Sequence, residues 1–304
     1  MNTILLILAT ALAPMIWGST YIVASELLPQ DVPFTSAAIR VLPGGLMLLA
    51  LAFALPKPGQ WPKLLLLSVL NIGLFQGLLF VAAYRLPGGL AAVLSAIQPL
   101  IVMLLIWLVQ KQPPVLAALI AALSSVLGMA ALLLTPNAQW DLTGVIAALS
   151  GAVSLGLGVF LTRYWSLELP VLSFTGWQLT LGGLMLLPLA IAWEPQLPTL
   201  STNQWLAYGY LAFAGSLIAY LLWFRGIQQL SPVAVSSLGL LSPLTAALLG
   251  WALLGQTLSG AALIGFITVL ASVLMVQWAM LGKKPVKPAQ QRSQPLEEHQ
   301  QQQL

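Results

Sequence analysis

Most of the side chains in this sequence that could do chemistry are uncharged. Trp17, Ser19, Tyr21, Phe75, Gln76, Ser95, Gln98, Ser154, Tyr220, Trp223, Ser237 and Ser242 all fall within otherwise apolar stretches. As a set they would supply aromatic walls with a few hydrogen-bond donors and acceptors, a lining that suits an amphipathic or zwitterionic small molecule. Each taken alone also fits helix packing or the lipid interface, where the same residue types are enriched.

Arg40 is the one charged residue placed well inside an apolar stretch. A charge there is costly and has two readings: a functional group, such as a handle for a substrate carboxylate, or a structural anchor. In the second, its long side chain snorkels to an interface about 9 Å away. Pro99 and Pro243 sit mid-stretch, and each lacks the N–H for an i to i−4 bond, so its helix should bend and free a carbonyl. Paired interruptions of this kind mark a transport site or, equally, two packing kinks. The neighbouring Gln98 and Ser242 are placed to satisfy the freed carbonyls or a substrate.

Absent residue types narrow the chemistry further. There is no cysteine, and the single histidine, His299, lies in a polar C-terminal tail. Thiolate catalysis and Cys-based metal centres are excluded, and neither metal nor cofactor is expected. No apolar stretch carries Asp or Glu in its interior, so the usual proton carriers are missing. Glu26, closing the first stretch, is the best-placed acid for a coupling role.

The elements that hold these residues must be membrane helices. Of 304 residues only 11 are Lys or Arg and 7 Asp or Glu, which is 6% charge at 59% hydrophobic content. An ordinary soluble domain carries about 25% charge, so a soluble enzyme or nucleic-acid-binding module is excluded. A bilayer core needs about 20 apolar residues of helix. Ten such spans run over 4–24, 34–54, 64–83, 90–109, 115–134, 142–162, 172–192, 205–223, 234–254 and 260–280. This is an all-α polytopic membrane protein. Ala11-Leu12-Ala13 has the form of a signal-peptide cleavage site, but no Lys or Arg precedes the first span, which therefore reads as helix one. With the N-terminus in the cytoplasm, Lys57, Lys63, Lys111, Arg163 and Arg225 fall inside and Arg85 alone outside. That asymmetry places both termini in the cytoplasm, and the expected location is a bacterial inner membrane. Lys283, Lys284, Lys287 and Arg292 then lie in a cytoplasmic tail, residues 283–304, whose Gln-rich composition reads as disordered. The formal net charge of +4 thus reports orientation rather than a nucleic-acid partner.

The spans repeat. Gly44-Gly45-Leu46-Met47-Leu48-Leu49 recurs word for word as Gly182 to Leu187. Beyond one longer connection the register shifts, and Trp61 then falls on Trp205, Phe80 on Phe224, Pro99-Leu100 on Pro243-Leu244 and Ala117 to Ile120 on Ala261 to Ile264. Gln76 thereby pairs with Tyr220, and Arg40 with Gln178. The division is residues 1–138 and 139–282, and because each half has an odd number of spans the second enters the membrane upside down. Two inverted five-helix repeats are a build of secondary transporters, with the solute site near the midplane. Gly73 and Gly77, spaced as GxxxG, read as a close helix contact.

Trp17-Gly18-Ser19, Arg40, the Ala82 to Leu100 stretch ending in Gln98-Pro99, and Pro243 resemble the drug/metabolite transporter superfamily. The chain is most similar to its ten-helix exporters with two EamA-type halves. The resemblance covers about residues 4–280 and implies a central cavity lined by spans one, three, four, six, eight and nine. It also implies export of amino acids, other metabolites or toxic compounds. Many relatives carry Glu where this chain has Gln112 and Gln256, so ion coupling through those positions does not carry over.

The expected function is a secondary transporter exporting small organic metabolites, with a small-molecule substrate, lipid as solvent, no nucleic-acid partner, and a monomer or homodimer as the assembly. The alternatives are an intramembrane enzyme acting on lipid or peptide, and a passive channel or scaffold. The spans supply Ser but neither the His nor the Asp that an intramembrane hydrolase would need, and no P-loop is present to drive transport with ATP.

Overall fold

Apolar runs of this length fold as helices in a bilayer because every backbone N–H and C=O must be satisfied within the segment. The computed structural model describes residues 2–29, 32–86, 90–133, 141–258 and 260–281. The expected division at residues 138 and 139, the tail 283–304 and His299 lie outside them. Among the described residues ten helices are long and apolar enough to span a membrane: α1 Thr3–Ala24, α2 Pro33–Leu51, α3 Pro58–Leu79, α4 Ala91–Gln110, α5 Leu116–Leu133, α6 Leu142–Trp165, α7 Val171–Trp193, α8 Thr202–Gln229, α9 Pro232–Leu254 and α10 Ala261–Met280.

Local signals set the ends. Asn2 caps α1 and Asp141 caps α6, the latter accepting from Gly144 N at 2.7 Å. Ser201 and Gln204 form a reciprocal capping box at α8. The first N–H groups of α2 are captured at long range: Glu194, just beyond α7, accepts from Phe34 N and, at 2.8 Å, from Thr35 N. Helices α4 and α9 both stop in a left-handed residue, Lys111 and Gly255, which are repeat equivalents.

Two pairs of helices differ from the expected spans. Helix α3 begins at Pro58 rather than 64, and α8 extends from Thr202 to Gln229 rather than over 205–223. The added turns carry polar and basic residues that an apolar window stops at but that snorkel at an interface, as where Lys63 Nζ lies 5.9 Å from the Trp165 ring. Each also contains a π-helical turn, Val69–Gly73 in α3 and Phe213–Ile218 in α8. In α4 and α9 two residues near each expected bend leave the α-helical pattern while keeping a right-handed backbone. Helix α4 consists of Leu90–Ser95 and Gln98–Gln110, and α9 of Pro232–Leu238 and Leu241–Leu254. Pro99 and Pro243 then sit in the first turn of a second segment, where a missing N–H breaks no bond.

Packing relates the two sets of five helices by a two-fold exchange. Helix α2 packs on α7 and α5 on α10, each against its own counterpart. Helix α1 packs on α8 and α9, while α6 packs on α3 and α4. The result is two inverted five-helix repeats. Glycines let the seams close: a Cβ on Gly265 would stand 2.4 Å from Gly128 O across α5 and α10, and one on Gly183 2.7 Å from Leu42 across α2 and α7. Gly73 and Gly77 face Met185, Phe34 and Leu189, so this GxxxG serves packing within the chain.

Candidate functional site

The centre is built from the turns where α3 and α8 widen. A π turn adds a residue to one helical turn and misaligns its carbonyls, which leaves them open to side-chain donors. Gly215 O in the α8 turn accepts from Trp17 Nε1 at 2.9 Å and from Arg40 Nη2 at 3.4 Å. Leu70 O in the α3 turn accepts from Ser154 Oγ at 2.8 Å. In both cases the donor comes from the opposite half.

Just beyond the turns, Gln76 and Tyr220 meet. Gln76 Nε2 donates to the Tyr220 hydroxyl at 2.9 Å, and both residues are buried. Contact between repeat equivalents places this bond on the pseudo-two-fold axis. Trp17 packs against it, its ring 4.9 Å from that of Tyr220 and 5.2 Å from that of Trp223. Phe224 stacks behind Tyr220 and meets Phe174 edge-on. Gln98 completes the group, lying with Trp223 against Gly239 at the irregular turn of α9 and against Gly156 of α6. Gln76 Oε1 and Gln98 Nε2 are buried with no hydrogen-bond partner among the described residues. Leaving such groups unmet costs about 1–3 kcal/mol each, so Gln76 retains an unused acceptor and Gln98 an unused donor.

The other residues singled out in the sequence have contacts of their own. Ser237 bonds Ala234 O in its own helix and accepts from Gln277 Nε2 of α10, beside a shallow, closely packed recess that Pro99, Ser125 and Ser272 also line. Ser95 bonds back to Ala91 O at 2.8 Å. Ser19 bonds Ile16 O and pairs with the Tyr210 hydroxyl. Phe75, Ser242 and Pro243 are half-buried, and Glu26 is exposed at the end of its helix. The Tyr21 side chain lies outside the described residues.

Sequence reading missed Asn71. Its Nδ2 donates to Gln178 Oε1 at 3.0 Å and to Thr162 Oγ1 at 3.2 Å, all three buried. Asn71 is the repeat equivalent of Gly215, and Gln178 that of Arg40, so an amide pair joins the two halves at one place and a guanidinium with a carbonyl joins them at the equivalent place. The signal available was an amide inside an apolar span facing the register of the repeat. Among the described residues no three His, Cys, Asp or Glu side chains cluster to hold a metal.

Comparison with known proteins adds to this geometry. The EamA-like transporter family matches residues 3–134 and again residues 142–278. Protein PecM of Dickeya dadantii is 44% identical over 284 residues, covering 92% of this chain and 95% of that protein. The WAT1-related protein At3g02690, chloroplastic, of Arabidopsis thaliana is 29% identical over 279 residues, covering 86% and 67%. An uncharacterized inner membrane transporter of Escherichia coli K12, YedA, is 28% identical over 286 residues, covering 90% of each chain. A solved crystal structure shares the fold with a TM-score of 0.77 at 21% identity, covering 90% of this chain and 97% of the other.

Proposed function

Because the chain belongs to the EamA-like transporter family and is a membrane transporter rather than an enzyme, we propose that it exports small organic metabolites across the bacterial inner membrane by alternating access. The solute class is amino acids or amphipathic, aromatic compounds. The observation that carries this reading is the Gln76–Tyr220 bond, because equivalents of two inverted halves meet there, at the repeat interface about which such halves rock and where solute is held. In this conformation Trp17, Tyr220 and Trp223 close on one another where the solute would sit. Opened, they offer aromatic faces, the unused Gln76 Oε1 and Gln98 Nε2 offer an acceptor and a donor, and a neutral or zwitterionic solute matches all of them.

The moving units in this proposal are residues 1–138 and 139–282, with both termini cytoplasmic. Lys57, Lys63, Arg163 and Glu168 share one end of the bundle, where Lys57 pairs with Glu168 and Arg163 bonds Gln228 O; Arg85 and Asp141 pair at 3.7 Å at the start of α6. Facilitated diffusion down the solute gradient needs no ionisable carrier, and the span interiors carry no acid or histidine; coupling through Glu26 is the alternative.

The test is reconstitution in liposomes with labelled amino acids and amphipathic aromatic metabolites, with and without a pH gradient. The expected result is movement of at least one solute at a rate set by its own gradient. Failure of every solute to move, or hydrolysis of lipid or peptide, contradicts export. A pH-gradient dependence abolished by Glu26→Gln would instead make that carboxylate a coupling group.

A further inference from the structure

The two π turns are gripped in matched ways. Asn71 in the α3 turn is held by Gln178 of α7, and Gly215 O in the α8 turn is held by Arg40 of α2. One helical turn beyond each gripping residue stands the first glycine of the repeated Gly-Gly-Leu-Met-Leu-Leu segment, and it packs on the same π turn. A Cβ on Gly44 would lie 3.1 Å from Ala212 O and 3.2 Å from Leu217 N, and one on Gly182 would lie 2.4 Å from Ile72 Cβ and 3.1 Å from Ser68 O. Thus α2 grips the π turn of α8, and α7 grips that of α3.

These grips govern the central pair through helix geometry. Gln76 follows the first π turn by three residues and Tyr220 follows the second by two. A single residue gained or lost from a turn rotates everything beyond it by about 100° and shifts it about 1.5 Å along the axis. Such a rotation would carry the Gln76 amide away from the Tyr220 hydroxyl.

We propose that Asn71 and Arg40 are positioning residues for the transport step: pinned from the opposite half, the two π turns aim Gln76 and Tyr220 at one another. The proposal rests on the reading of that pair as the centre of the transport site, and neither positioning residue touches solute.

The test uses the full chain in liposomes, which has no native cysteine. The pair Gln76→Cys with Tyr220→Cys is bridged by a short bifunctional thiol reagent, and Lys57→Cys with Glu168→Cys serves as a distant control pair. Asn71→Ala and Arg40→Met each lower the central cross-link about fivefold, the population change expected for one ordinary hydrogen bond, and leave the control pair unchanged. Arg40→Lys, which retains a donor for Gly215 O, recovers most of the yield. An unchanged central yield, or an equal fall in both pairs, overturns the proposal. The cross-link needs no solute, so the two readings fail separately: native transport by Gln76→Ala sinks the site assignment while the grip still registers in the cross-link.

Discussion

Lys111 and Gly255 end equivalent helices with the same left-handed backbone, at φ 57° and 65°, yet only one is a glycine. A Cβ in that region costs roughly 1–2 kcal/mol, so Lys111→Gly stabilises the fold by about 1 kcal/mol and Gly255→Ala destabilises it by about as much. Thermal unfolding in detergent reads both, as a rise and a fall in midpoint. At this scale the candidate site was partly legible. Gln76 and Tyr220 were visible as equivalents because the repeat register pairs them, but their contact is a property of the folded axis. Ser95 and Ser237 are of the right residue type, and their hydroxyls are taken up by carbonyls of their own helices. Asn71 escaped notice because its meaning lies in the partners at Gln178 and Thr162, each about a hundred positions away in the chain.

Among the elements, the repeated Gly44-Gly45 and Gly182-Gly183 mark where α2 and α7 cross each other and press on the π turns. Gly182→Ala places a methyl against Ile72 and Ser68 O, an overpacking that costs about 1–3 kcal/mol. Gly209→Ala, at a helical position with nothing within 4 Å of the added methyl, gains about 0.5–1 kcal/mol from helix propensity. Opposite shifts in detergent melting temperature are the expected outcome, and equal shifts would remove the special role of the Gly182 contact. The helices themselves were legible from apolar length, and Pro99 and Pro243 announced the irregular turns of α4 and α9. The π turns were not, since helical phase is read from alternation of polar and apolar faces and α3 and α8 are apolar on nearly every side there.

For the whole molecule, duplication in the sequence becomes a two-fold exchange in space: α2 with α7, α5 with α10, and a single amide-to-phenol bond where the axis passes. The order of landmarks from Trp61 and Trp205 to Ala117 and Ala261 showed the duplication, and the odd number of spans showed the inversion. Which helices of one half touch which of the other was not legible, because lipid-facing and protein-facing apolar residues look alike in a membrane sequence. The scarcity of charge is explained at this scale too: acids and most bases work at the ends of the bundle, and Arg40 is the charged side chain beside a centre where neutral groups meet. Alternating access about that centre is tested most directly by side-specific modification of Gln98→Cys in sealed vesicles, using a maleimide that cannot cross the membrane. The predicted result is reaction from either face of the membrane, slowed from both by an excess of the transported solute. Reaction from one face only, however long the exposure, would contradict it.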